Sequence, residues 1–139
     1  MTKIFLILCF LCITYSQTVN TLTGKWKLIQ YKDVITGQTE NEPEEYKNSE
    51  SMTFTFNDNH LQGKFNGITL NNNTKGTYSL YDNNKITVNY FSQTKISEPY
   101  WGNKFWETII QASSYAISND TLNIFYDNDT KAMVFIRKQ

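Results

Sequence analysis

At 139 residues the chain has room for one domain. Its 13 Lys+Arg balance 13 Asp+Glu, which leaves no basic footprint for nucleic acid and no polybasic attraction to an anionic membrane. Both cysteines, Cys9 and Cys12, sit near the start of the chain, in a segment read below as removable. What remains then has no disulfide, no zinc–thiolate site and no cysteine nucleophile.

The chain opens like a secretory signal peptide, residues 1–16. Lys3 supplies a positive charge, and Ile4 to Ile13 form an unbroken apolar run of ten. Thr14 and Ser16 place small side chains at the −3 and −1 positions of a cut after Ser16. The run falls short of the about 20 residues that span a bilayer. Cys9 and Cys12 each follow a leucine, which argues against lipidation. The expected product is a secreted or periplasmic domain, residues 17–139, with no stable membrane insertion after cleavage.

From there the sequence alternates with period two, the signature of strands with one buried face. In "GKWKLIQYKD" Trp26 and Leu28 share one face, and Ile29 and Tyr31 the other. "GQTENEPEEYKNSE", residues 37–50, is mildly acidic and reads as a solvated loop. "SMTFTFND" turns Met52, Phe54 and Phe56 one way, and "HLQGKF" does the same with Leu61, Gly63 and Phe65. Residues 65–80, "FNGITLNNNTKGTYSL", interrupt the pattern at Asn71–Asn73. They read as a constrained turn entering the strand "GTYSL", with a ligand-gating loop as the alternative. "KITVNYF" aligns Ile86, Val88 and Tyr90; "TLNIFYD" aligns Leu122, Ile124 and Tyr126; "KAMVFIRK" aligns Ala132, Val134 and Ile136. Asn57–Asn59, Asp82–Asn84, Asn119-Asp120 and Asp127–Asp129 separate the runs. Asn and Asp tolerate left-handed backbone and bond to nearby amides, so these are hairpin turns. Seven or eight such strands predict an antiparallel sandwich or barrel.

One segment has a different period. In "NKFWETIIQASS" Phe105, Trp106, Ile109 and Ile110 fall on one helical stripe. Asn103 is the expected N-cap, after a loop marked by Pro99 and Gly102. The stripe is expected to cover an open end or side of the barrel.

The order of these pieces resembles the META domain, the family of the HslJ heat-shock protein. The resemblance rests on "LTGKWKLI", "MTFTFNDNHLQGKFNG", "NNNTKGTYSLYDNNKITV", "TKISEP", an aromatic helix and the ending "YAISNDTLNIFYDNDTKAMVFIRK", roughly residues 22–137. It implies a small antiparallel β-barrel of lipocalin-like topology with one helix, in a family tied to stress responses of the cell envelope rather than to a defined reaction. Where many members carry Gly-Cys-Asn this chain has Phe65-Asn66-Gly67, so no role of a cysteine transfers. The G-x-W at Gly24–Trp26 also resembles true lipocalins, in which an arginine late in the chain closes the barrel floor against the tryptophan. Arg137, the sole arginine, is placed to stack on Trp26. Lipocalins, however, put their main helix after the barrel strands, whereas three strand patterns follow it here.

No catalytic constellation emerges. His60, the one histidine, has no cysteine or second histidine nearby in the sequence and reads as a residue of a turn or strand start. "DNDT", residues 127–130, lacks the glycine and distal glutamate of a calcium loop. Nothing fixes the separation of Glu98 and Glu107, so they do not define a glycosidase pair. No metal and no cofactor is expected. The reading is a non-enzymatic binding or stress-response module, with a lipocalin-like carrier as the alternative; its partner is an apolar small molecule or an envelope or secreted protein. Candidate ligand contacts are Trp26, Tyr90, Tyr100, Trp101 and Trp106. Trp26 and Trp106 also read as core, and Trp101, in the loop before the helix, is the expected half-exposed contact. Asn72, Asn119 and Asn128 head N-x-T sequons that a eukaryotic secretory pathway would read.

Overall fold

The period-two alternation is realised as strands in a computed structural model that describes residues 20–139. The signal-peptide reading and both cysteines lie outside the described residues. Nine antiparallel strands follow in order: β1 Gly24–Asp33, β2 Thr39–Asn41, β3 Thr53–Asp58, β4 Gln62–Ile68, β5 Asn73–Tyr81 and β6 Lys85–Gln93, then β7 Ser114–Ser118, β8 Thr121–Tyr126 and β9 Lys131–Lys138. The helix α1, Tyr100–Ile109, separates β6 from β7, and one 3₁₀ turn spans Glu44–Tyr46. β9 pairs with β1 from Lys25↔Lys138 to Asp33↔Lys131, so the sheet closes on itself into a small barrel carrying one helix. The short β2 pairs with the far end of β1. Closure is thinnest between β6 and β7, which share the single register pair Lys85↔Ser114.

Two bulges reassign faces that strict alternation misplaces. The register slips between Leu28 and Gln30 on β1, so Ile29 is the extra residue and Tyr31 returns to the inner face with Trp26 and Leu28. All three are buried. A second slip, between Thr77 and Tyr78, leaves Asn89 of β6 unpaired. Phe91 rather than Tyr90 then turns inward, and Tyr90 is 54% exposed. On β9, Met133 and Phe135 are fully buried in the core while Ile136 reaches the surface. Leu61 lies in the turn before β4 and is exposed, and Met52 precedes β3 with a left-handed φ of 59°, its carbonyl accepting from Leu28 N at 2.9 Å.

The interior is filled with aromatic rings. Phe54 stacks on Phe105 of α1 at 4.3 Å, Phe56 on Phe65 at 5.3 Å and Phe65 on Phe91 at 6.2 Å. Inward glycines sit directly across the ladder from rings: Gly67 opposite Phe54, Gly76 opposite Phe65, Gly63 opposite Tyr78. A Cβ on Gly76 would fall 2.3 Å from the Phe65 ring, and one on Gly67 would meet the Thr53 carbonyl at 2.2 Å. Pairing small with large residues lets rings fill a barrel this narrow.

The turn chemistry matches its residues. Asn83, Asn84, Asn119, Asp127, Asn128 and Asp129 all take positive φ, the conformation Asn and Asp accept at least cost. The acidic loop, by contrast, is not wholly solvated. Glu42 is 6% exposed and lies 2.9 Å from the buried Lys27 ammonium, which also donates to the carbonyls of Tyr46, Ser49 and Ser51. Lys27 points out of the barrel, but the loop folds back over it. Four oxygens then replace its hydration shell.

Candidate functional site

The candidate contacts separate into core and surface once placed in the barrel. Trp26 is fully buried at the floor, and its indole N–H donates to the Leu22 carbonyl at 2.9 Å. The Arg137 guanidinium lies 4.1 Å from the ring centroid. Gly24 is what makes room: a Cβ there would meet Arg137 Nη1 at 2.6 Å, and its φ is +148°. Asp58 anchors the residues below this stack, accepting from Thr21 Oγ1, Leu22 N and the Tyr78 hydroxyl. Trp26 therefore closes the floor and is not placed to touch a ligand.

Trp101 is not the half-exposed contact the sequence led one to expect. The helix starts at Tyr100, directly after Pro99, rather than after an Asn103 cap. Pro suits a helix start, because the N–H it lacks would be unpaired there anyway. That early start puts Trp101 in the first turn, facing inward. It is 2% exposed and meets Tyr31 edge-on at 4.7 Å, while the Tyr31 hydroxyl donates to its carbonyl. Burial pushes the Tyr31 phenol well above its ordinary pKa. The indole N–H of Trp101 has no acceptor among the described residues, a cost of about 1–3 kcal/mol.

Tyr100, the residue before it, is exposed. It stands on the rim of a cleft of about 590 Å³ whose walls include Tyr31, Lys32, Glu40, Lys104 and Tyr126. Lys104 lines the same cleft, 2.9 Å from Glu40 Oε2 and 4.5 Å from the Tyr31 ring centroid. Partial burial works against its charge, but hydrogen bonds to Glu40 and the Tyr100 hydroxyl outweigh that and raise its pKa. Lys104 serves here as a clasp that ties α1 to β2.

Tyr90 and Trp106 share a second surface feature, a groove of about 500 Å³ between β6 and α1, walled also by Val88, Phe91, Gln93 and Ile110. Tyr90 and Ile110 are 54% and 57% exposed. The Trp106 indole N–H and the Gln93 amide oxygen are buried from water, and neither has a hydrogen-bond partner among the described residues. Nothing in residue types alone points to this groove. It needs the Asn89 bulge to turn Tyr90 outward and the missing β7 pairing to leave an edge beside α1.

The Asn71–Asn73 stretch is a clasp. Asn72 is 3% exposed, its Nδ2 donating to the Ile96 carbonyl and Glu98 Oε2, its Oδ1 accepting from Thr94 Oγ1 and Ile96 N. Glu98 also accepts from Leu70 N at 2.6 Å and from Asn71 N. Gly102 accommodates that carboxylate, since a Cβ would lie 2.0 Å from Glu98 Oε1. Glu107 instead sits 3.4 Å from Asn103 Nδ2 on the exposed face of α1, so the two glutamates serve separate structural ends. Among the described residues no group of His, Cys, Asp and Glu gathers as a metal site, and no helix is long and apolar enough to cross a membrane.

No family model matches the chain, and no curated protein does. A solved structure does: a DUF4847 family protein from Bacteroides vulgatus, 17% identical, with a TM-score of 0.62, covering 84% of this chain and 93% of that one. At that identity the likeness is one of fold: a compact β-rich ring with a helix recurs on a very different sequence.

Proposed function

We propose that this chain is an exported META-type binding module that engages a protein partner through its outer surface. The observation that carries this reading is the filled interior. Phe54, Phe56, Phe65, Tyr78, Phe105 and Phe135 occupy the space a carried ligand would need, each 2% exposed or less. Exposed aromatics lie instead outside the barrel, at Tyr81, Tyr90 and Tyr100. Exposed apolar surface beside polar groups is where partners bind. The META-type assignment is supported by the three strands that follow α1. Export is supported by the charge and apolar run of residues 1–16.

A second reading, a lipocalin-like carrier, is favoured by the Trp26–Arg137 stack, and the packed rings stand against it. Native mass spectrometry of the protein purified from its own source separates the two. The expected result is the bare polypeptide mass beginning at Gln17. A reproducible small-molecule adduct that is lost on denaturation would overturn the surface-binding reading, and an intact residue 1–16 segment would overturn export.

A further inference from the structure

We infer that loop 42–51 is a displaceable cover on a basic outer face of β1, and that this face, once uncovered, takes an acidic peptide segment of a partner protein. The inference rests on the surface-binding reading above and names a site and the partner's chemistry.

Charge is balanced in number over the chain but not in place. Lys25 and Lys27 project from the outer side of β1, with the inward Trp26 between them. Lys138 stands directly opposite Lys25 in the β1–β9 ladder. Lys75 lies on the same row three strands on, through Thr55 and Asn66. β3, β4, β5 and β9 hold one acid between them, Asp58, and it is engaged at the floor. Like charges opposite each other on a ladder repel, so this face calls for anions. Loop 42–51 brings them as Glu42, Glu44, Glu45 and Glu50. Glu42 meets Lys27 at 2.9 Å and Glu50 meets Lys25 at 3.2 Å. Lys25 holds the Glu50 carboxyl below its ordinary pKa, and Lys138 and Lys27 add to this.

The cover is held by two side chains rather than by a ladder. Among the described residues, the hydrogen bonds and ion pairs that residues 43–51 make to the barrel run only to Lys25 and Lys27. Their other bonds stay within the loop. The loop leaves through Met52, whose φ of 59° is a strained conformation for a long side chain. Lys27 also indicates what replaces the loop. It is 2% exposed, and a buried cation stripped of its partners is strongly disfavoured. Its partners are one carboxylate and the carbonyls of Tyr46, Ser49 and Ser51. An acidic peptide carries both kinds of group on one backbone, whereas a sulfated polymer carries no such row of carbonyls. The partner segment takes the loop's place contact for contact: carboxylates on Lys25 and Lys27, carbonyls around Lys27.

The probe is a synthetic peptide of the loop's own sequence, "NEPEEYKNSES", residues 41–51, titrated into the whole protein by calorimetry. Glu42→Gln with Glu50→Gln loosens the cover. That variant is expected to bind the peptide about tenfold or more tightly than the unaltered protein, because apparent affinity scales with the uncovered fraction. Adding Lys27→Met should abolish the gain, and Lys95→Ala, at an exposed site away from this face, should leave it unchanged. Binding should speed amide exchange in 43–51 while β3 stays protected. A peptide with glutamine at every glutamate should not bind, and added salt should weaken the acidic one. If the double variant fails to fold, Glu50→Gln alone alters only an exposed pair and carries the same comparison with a smaller gain. The inference is overturned if the loosened variant shows no gain, if the glutamine peptide binds equally well, or if exchange in 43–51 does not move. Tighter binding of a heparin oligosaccharide than of the peptide would overturn the choice of a protein partner. No peptide binding beside a bare native mass would sink this inference and leave the filled-barrel reading standing.

Discussion

Single residues at the floor and along the ladder carry more of this fold than their types announce. Asp58 is the clearest case. Burial raises its pKa, but the hydrogen bonds from Thr21, His60 N, Leu22 N and Tyr78 outweigh that and hold its carboxyl below the ordinary aspartate value. A carboxylate depressed in the folded state adds stability above its unfolded pKa, and that stability fades as pH falls through the lowered folded value. Below about pH 4, hydrogen exchange is expected to rise at residues 21–23 before the rest of the barrel. Asp58→Ala should cost about 1–3 kcal/mol at neutral pH, because it leaves the Tyr78 hydroxyl and Leu22 N without their acceptor. It should also flatten the acid limb of the stability curve; an unchanged acid limb would assign the limb to other carboxylates. Gly67→Ala forces a methyl group to within 2.2 Å of the Thr53 carbonyl and is expected to cost about 1–3 kcal/mol in urea unfolding. At Gly37 a Cβ meets nothing within 4 Å but inherits a φ of +77°, so Gly37→Ala should cost about 1 kcal/mol from backbone strain alone. Of the three sequons, Asn119 and Asn128 are exposed and Asn72 is buried. Expression in a eukaryotic secretory host should place glycans on the first two and none on folded Asn72, as peptide mapping would read.

At the level of elements, α1 is held by two clasps. Glu98 binds the Leu70–Asn72 backbone and side chain just ahead of it, and Lys104 binds Glu40 from its middle. Glu98→Ala removes the acceptor from Leu70 N and Asn72 Nδ2 and is expected to cost about 2–3 kcal/mol. The sign of its action is local: amide exchange should accelerate in 94–104 before it does in β3 or β4. Lys104→Met keeps the packing and deletes one partly exposed ion pair, worth about 1 kcal/mol or less. If the second variant were the more damaging, the cleft would be holding the helix more tightly than the Glu98 clasp does.

At the scale of the whole molecule, rings that touch across layers are expected to make the barrel one cooperative unit. Phe105 of α1 stacks on Phe54 of β3 and meets Phe91 of β6 edge-on. Phe105→Ala is expected to cost about 3–5 kcal/mol and to lower the unfolding midpoint read by far-ultraviolet circular dichroism and by tryptophan fluorescence alike. A midpoint lowered in fluorescence alone would mean that α1 docks on a barrel that folds without it.

Period, turn chemistry and the order of pieces were legible along the chain because each is local. Alternation marks a strand wherever one face is buried, and an Asn-Asp pair marks a turn wherever a left-handed residue is needed. So antiparallel strands in a sandwich or barrel, and the late helix followed by three strand patterns, could be read from residues in order, whereas the choice of a barrel and the Trp26–Arg137 stack were expected only from the family resemblances. Other features depend on what arrives from far away in sequence. Two bulges moved Tyr31 inward and Tyr90 outward, and a bulge depends on the register of a neighbouring strand. Lys27 sits between the inward Trp26 and Leu28 and so points outward, yet the 42–51 loop folds over it. Trp101 was placed in a loop because a helix start at Pro99 leaves no side-chain cap to recognise. The groove beside β6 exists because β7 fails to pair beyond Lys85, and an unmade pairing leaves no mark on the residues that would have made it.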